Sequence, residues 1–129
     1  MKIGELSKRS HCSIQTIRYY EKEGLLEQAQ RSEGNFRLYD NQALQHLLFI
    51  KHCRNLDISL SEIKELIQLK INPYMQCKNV NQIFDNHIEQ VDLKTQELNQ
   101  LKTELQDLRQ NCTDKQIIEN CGILQKLSQ

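Results

Sequence analysis

Through the first seventy positions apolar residues fall into short clusters at helical spacing; past Pro73 they merge into one long stripe. The stretch GELSKRSHCS reads as a short helix that breaks near His11-Cys12. Ser13 then supplies an N-cap for IQTIRYYEKE, and Gly24 stands where a helix ends on a left-handed residue. Two short helices joined by a tight turn are the outline of a helix-turn-helix. In LLEQAQRSEGNFRLYD, Gly34-Asn35 is a two-residue hairpin signal. It is flanked by Ala29–Arg31 and by the alternating Phe36-Arg37-Leu38-Tyr39, which predicts a small wing. Asp40 caps a helix through NQALQHLLFIKHCRNL, whose apolar face is Leu44, Leu47, Leu48 and Phe49. Ser59-Leu60-Ser61-Glu62 forms a capping box, with Leu60, Ile63, Leu66 and Ile67 following at helical spacing.

Pro73, the only proline, marks a linker in INPYMQC. Roughly from Asn79 to Gln110 there is neither Gly nor Pro. A heptad stripe runs through Val80, Phe84, His87, Val91, Lys94, Leu98, Leu101, Leu105 and Leu108, with His87 and Lys94 as polar interruptions. Such a helix is about 48 Å long. Alone it exposes its stripe, so it predicts pairing with a second chain, a homodimer. The predicted fold is mainly α: a winged helix-turn-helix domain at 1–70, a linker at 71–78, a dimerisation helix at 79–110, and a C-terminal loop and tail at 111–129.

Composition alters this picture little. Three Phe, four Tyr and no Trp make a thin core for 129 residues, which agrees with burial between two chains. Lys+Arg and Asp+Glu are equal at 17 each, so the chain is no simple polybasic nucleic-acid binder. No apolar run approaches the roughly 20 residues that cross a bilayer, and MKIGELSKRS lacks the apolar core of a signal peptide. A cytoplasmic protein is expected. Its five cysteines, Cys12, Cys53, Cys77, Cys112 and Cys121, then favour metal or redox chemistry over a disulfide framework. There is no Gly-rich phosphate loop, and His11, His46, His52 and His87 form no catalytic constellation with a nucleophile, so an enzyme is not expected.

A DNA-reading claim must rest on particular residues. In SIQTIRYYEKEGLL, the hydroxyl of Thr16, the guanidinium of Arg18 and the phenols of Tyr19 and Tyr20 suit a helix laid on a duplex, holding phosphates or reaching base edges. Arg31, Arg37 and Tyr39 of the wing suit phosphates at the groove edge, and Arg54 adds a further contact. The plain alternatives are that a Tyr-Tyr pair packs half-buried and that isolated arginines are solvated.

KIGELSKRSHCSIQTIRYYEKEGLL followed by RSEGNFRLY at 31–39 resembles the N-terminal domain of the MerR family of transcriptional regulators, from Lys2 to about Leu69. The resemblance places Thr16, Arg18, Tyr19, Arg37 and Tyr39 at positions associated with DNA contact. Phe36 departs from the family's common Tyr, which removes a hydroxyl contact.

Cysteine thiolates are soft ligands for Cd(II), Pb(II), Hg(II), Zn(II) or Cu(I). Cys77 precedes the long helix and Cys112 follows it; a straight helix would separate them by about 52 Å. One chain therefore cannot close both on one ion. In an antiparallel helix pair the start of one helix meets the end of the other. Cys77 of one subunit would then face Cys112 and Cys121 of its partner, giving two symmetric three-thiolate sites. Cys12 and Cys53 read as small packing residues. For Cys112 and Cys121 the rival is a disulfide. His87, about 15 Å along the helix from Cys77, reads as a polar seam residue.

These three cysteines are similar to the pattern of MerR-type regulators of heavy divalent ions, and the flanking CKNVNQIFDNHIEQV and CGILQKL resemble the cadmium/lead-responsive branch most. The resemblance implies an activator on double-stranded promoter DNA that deforms the promoter when Cd(II) or Pb(II) binds, so that RNA polymerase engages. It also implies control of metal efflux or sequestration genes. A mercury- or zinc-responsive relative, a cytoplasmic metal buffer, and a redox sensor using Cys112 and Cys121 are the other expectations.

Overall fold

Local capping decides where most helices begin and end. The computed structural model describes residues 1–129, with helix α1 at Ile3–Ser10, α2 at Ile14–Lys22, strand β1 at Gln30–Arg31, β2 at Arg37–Leu38, α3 at Asn41–Asn55, α4 at Leu60–Lys70, α5 at Lys78–Arg109 and α6 at Gly122–Leu127. α1 stops because His11 turns left-handed, with φ 58°. Ser13 then caps α2 by accepting the Thr16 N–H at 3.0 Å. Beyond Glu23, Gly24 takes φ 77°, a conformation that costs a residue with a Cβ. The Asp40 carboxylate accepts the Ala43 N–H at 2.9 Å to start α3. At α4 both bonds of the capping box are made, Ser59 N–H to Glu62 and Glu62 N–H to Ser59.

The chain forms two units, Met1–Ile83 and Phe84–Gln129. In the first, Leu6, Ile17, Leu47, Ile50, Ile58 and Ile63 are buried to 1 % exposure or less, one or more from each of α1, α2, α3 and α4. The α1–α2 turn is tied to α3 by the Lys51 ammonium, which donates to the Ser10 carbonyl at 3.0 Å. Cys53 is buried and Cys12 packs against the same cluster, the packing role expected of both.

The wing is an antiparallel pair, with Gln30 opposite Leu38 and Arg31 opposite Arg37. Its turn differs from the two-residue Gly-Asn connection expected. Asn35 N–H bonds to Ser32 O at 2.9 Å, and Ser32 N–H to Phe36 O at 2.8 Å. The loop is thus three residues, Glu33-Gly34-Asn35, and Asn35 rather than Gly34 takes the left-handed conformation, φ 64°. Asn tolerates that region, and a three-residue loop closes through one such residue at its end.

The long helix is 32 residues, Lys78–Arg109, one residue earlier at each end than the sequence suggests. Its first turns belong to the winged unit: Ile83 is part of the core and Val80 packs against it. That unit therefore reaches past residue 70. In the second unit, Val91, Leu98, Leu101 and Leu105 of the stripe are 47–65 % exposed. No helix is long and apolar enough to cross a membrane.

Candidate functional site

The residues expected to touch DNA divide by orientation. On α2, Arg18 is exposed and Tyr19 is 46 % exposed, while the Thr16 hydroxyl accepts from Ser13 Oγ at 2.8 Å. On the wing, Arg31 is exposed and donates to the Asn35 carbonyl at 3.2 Å, which braces the turn. Arg18, Arg31 and Arg37 line one cleft between α2 and the wing.

Tyr20 and Tyr39 sit in the core instead, 8 % and 4 % exposed. Tyr20 packs its ring against that of Tyr19, centroids 6.1 Å apart, and the Arg54 guanidinium approaches its hydroxyl. Arg54 is tied back to its own turn, donating to the Ile58 carbonyl at 3.0 Å. The Tyr39 hydroxyl donates to the Glu21 carboxylate. Burial first, and that carboxylate second, push the Tyr39 phenol up to about 12, so it stays a donor throughout the neutral range. The apolar bodies of both rings outweigh what their hydroxyls would gain on a free surface.

Glu21 is the residue that sequence reasoning missed. It is 8 % exposed and receives both the Tyr39 hydroxyl and the Arg37 guanidinium, the latter at 3.3 Å. An acid buried in a helix meant to face a polyanion needs internal donors, and the wing supplies both. The visible signal was an acidic residue directly behind Tyr19-Tyr20. Tyr39→Phe is expected to cost about 1–3 kcal/mol, the penalty for leaving a buried acceptor short of a donor. Urea unfolding at fixed protein concentration checks it; an unchanged midpoint would mean the bond contributes nothing.

The cysteines at the foot of α5 form a second centre. Asn111 closes the helix, its side-chain amide donating to Asp107 O at 2.8 Å and Leu108 O at 3.2 Å, so carbonyls left open at the helix end are satisfied. Arg109 donates to the Cys112 carbonyl at 2.7 Å. The loop returns until Cys121 stands at the start of α6, its carbonyl accepting from Gln125 N–H at 3.1 Å. Gly122 presses on the end of α5 so closely that a Cβ there would collide with the Asn111 carbonyl. This approach brings the Cys112 and Cys121 thiols near enough to influence each other's ionisation, while the Cys112 thiol donates to the Thr113 carbonyl at 3.5 Å.

The two sulfurs are not equivalent. The Leu124 N–H, then the Cys112 thiol and the Ile123 N–H, hold the Cys121 thiol below the ordinary thiol range. Cys112 is pushed up, chiefly by the neighbouring Cys121. Cys121 is therefore the sulfur that ionises more readily, since backbone amides pointed at sulfur favour the anion. All five cysteines are free thiols. No three His, Cys, Asp or Glu side chains within the chain are grouped to hold a metal ion. A soft cation fits this donor pair and would need further ligands. Cys77 is exposed at the entrance to α5, its carbonyl accepting from Asn81 N–H at 2.9 Å.

Comparison with known proteins agrees with this organisation. Residues 1–70 match the MerR HTH family of regulatory proteins, and residues 44–108 match the family described as MerR, DNA binding. The chain is 47 % identical over 110 residues to the HTH-type transcriptional regulator ZntR homolog of Haemophilus influenzae, covering 85 % of this chain and 82 % of that one. Among solved structures it resembles the transcription regulator PbrR691 from Ralstonia metallidurans CH34 in complex with lead(II), at 51 % identity and TM-score 0.88 over 98 % of both chains. It also resembles the dual function transcriptional regulator MerR of Bacillus megaterium MB1 in complex with mercury(II), at 28 % identity and TM-score 0.74 over the whole of both.

Proposed function

The chain belongs to the MerR family of helix-turn-helix regulatory proteins, and from that premise we propose that it is a metal-responsive activator acting as a homodimer on promoter DNA. The observation that carries the reading is the Cys112–Cys121 pair, closed by its own loop at the foot of a helix whose apolar stripe is exposed. Cys77 of one subunit completes the set with Cys112 and Cys121 of its partner, and the paired helices run antiparallel. Three thiolates suit Pb(II) or Hg(II); Cd(II) fits with an added oxygen donor, and tetrahedral Zn(II) fits less well. Identity of 51 % to a regulator crystallised with lead(II) supports Pb(II), with Cd(II) beside it.

The response follows from where Cys77 stands. It opens the helix whose Val80 and Ile83 are packed in the winged unit's core, so a pull on its sulfur acts directly on the DNA-reading unit. A bound ion would favour whichever dimer conformation closes three sulfurs around it, and that conformation is the one that deforms the promoter. RNA polymerase then engages the reshaped spacer. Arg18, Tyr19, Arg31 and Thr16 face the duplex. Arg37 and Tyr39 hold the wing through Glu21, with Tyr20 and Arg54 behind the recognition helix. A cytoplasmic setting, where thiols stay reduced, suits this chemistry.

The test is transcription in vitro from the chain's own promoter across Pb(II), Cd(II), Hg(II) and Zn(II), with footprinting alongside. Activation by Pb(II) or Cd(II) is expected. A response to Hg(II) alone would move the chain to mercury sensing. Metal binding without sequence-specific protection of DNA would make it a buffer, and activation by oxidant without metal would make it a redox sensor.

Gly122→Ala tests the loop without touching a thiol. Because a methyl group there meets the Asn111 carbonyl, the backbone at that approach must shift, and the placing of Cys112 and Cys121 with it. Pb(II) affinity is expected to fall about 10–100-fold, as when the groups that position metal ligands are lost. Titration followed by lead–thiolate absorbance measures it, and wild-type affinity would show that the loop's closure is irrelevant.

A further inference from the structure

One cleft of about 340 Å³ in the winged unit brings together four cations from three elements: Lys2 at the start of α1, Arg18 on α2, and Arg31 and Arg37 on the wing. Lys2 was not among the residues expected to act, and Phe36 entered only as a lost hydroxyl. The structure joins them. The Lys2 ammonium lies 4.2 Å from the centre of the Phe36 ring. That is within cation–π range.

The charges in the cleft are poorly neutralised. Glu21 offsets Arg37 across 3.3 Å, and Arg31 is braced by the neutral Asn35 carbonyl. Neither Lys2 nor Arg18 has an anionic partner. Lys2 is also the N-cap of α1 and provides no side-chain cap; the Glu5 N–H turns back to the Lys2 carbonyl at 3.1 Å, which leaves the amides of Ile3, at the cleft wall, and Gly4 for an acceptor. Cations held around an opening, next to an uncapped helix start, suit an oxyanion with several acceptor oxygens. The cleft is shallow and solvent-exposed. A small free anion would gain little there against screening, whereas a phosphate of a duplex also gains from counterion release.

We propose that this cleft seats one backbone phosphate of duplex DNA, with Phe36 serving as the platform that holds the Lys2 ammonium over it. The inference rests on the DNA-binding reading and adds to it a contact from outside the helix-turn-helix and wing motifs. Phe36 then replaces a hydroxyl contact with a positioned charge. Lys2 is a phosphate ligand and Phe36 a positioning residue.

The full chain is used, with a duplex recovered from a random pool by selection on the wild type. Binding is measured over a range of salt for wild type, Lys2→Ala, Lys2→Gln, Phe36→Leu and Phe36→Tyr, and against duplexes carrying single methylphosphonates. Loss of one phosphate contact lowers the salt slope by about 0.9. That decrease is expected for Lys2→Ala and Lys2→Gln, a partial one for Phe36→Leu, and none for Phe36→Tyr, which keeps the ring. One methylphosphonate position that weakens the wild type should have no effect on Lys2→Ala. Lys2 is exposed, so unchanged thermal unfolding is expected to separate the contact from folding. Wild-type slope in both Lys2 variants, or equal losses at every methylphosphonate position, would overturn the phosphate seat while leaving DNA binding intact. If the wild type selects no duplex, the DNA-binding reading and the seat fall together.

Discussion

Two variants that each bind Pb(II) poorly are expected to recover one strong site when combined in a single dimer. The first is Cys77→Ser, which keeps the Cys112–Cys121 pair; the second is Cys112→Ser with Cys121→Ser, which keeps Cys77. In either homodimer every proposed site lacks at least one sulfur. Affinity should fall by more than the roughly 10–100-fold that altering groups that merely orient ligands costs. In the mixed dimer, Cys77 of the second chain meets the intact pair of the first, and one of two sites is whole. Differently tagged chains, purified together and titrated with Pb(II), should bind one ion tightly per dimer. Failure to recover would mean that the sulfurs do not meet across the interface. DNA affinity without metal should be unchanged in every combination, because none of these cysteines belongs to the winged unit's core.

Leu101→Glu is expected to break the dimer and with it operator binding. Leu98, Leu101 and Leu105 are 65 %, 49 % and 57 % exposed in the single chain, an apolar row that the proposed partner helix would cover. Burying a leucine contributes about 1.5–3 kcal/mol, and a symmetric dimer loses it twice, before counting the cost of a carboxylate in an apolar seam. The dimer dissociation constant should rise roughly 100- to 10,000-fold. Sedimentation should give monomer at concentrations where the wild type is dimeric. The winged unit should still fold, since its core draws on α5 no further than Ile83. A Leu101→Glu protein that remains dimeric would place the interface on another face of α5.

Much of this protein could be read along the chain because the deciding energies act over a few residues. Ser13, Asp40 and Ser59 with Glu62 cap the helices they precede, and Gly24 ends α2, each through bonds spanning three or four positions. The seam of α5 follows from the period of the helix alone. The family resemblance was legible for a related reason: its motif pairs a recognition helix with a wing, both local patterns.

Whether a polar side chain reaches a ligand or turns inward is settled elsewhere. Tyr39 and Glu21 are 18 positions apart, and Arg37 and Glu21 are 16; nothing nearby in sequence says that these three meet. Lys2 reaches Phe36 only because the wing folds back beside α1. Gly122 looks dispensable until the loop presses it against Asn111, which makes Cys112 and Cys121 a pair with one sulfur held more acidic than the other. The sequence alone determined α1 to α5 to within about a residue and the residue types available for chemistry, through short-range capping and periodicity, while α6 in what read as a loop and tail came only with the fold. The tertiary structure decided which charges are neutralised inside and which stay open, because burial and pairing depend on neighbours that only the folded chain brings together.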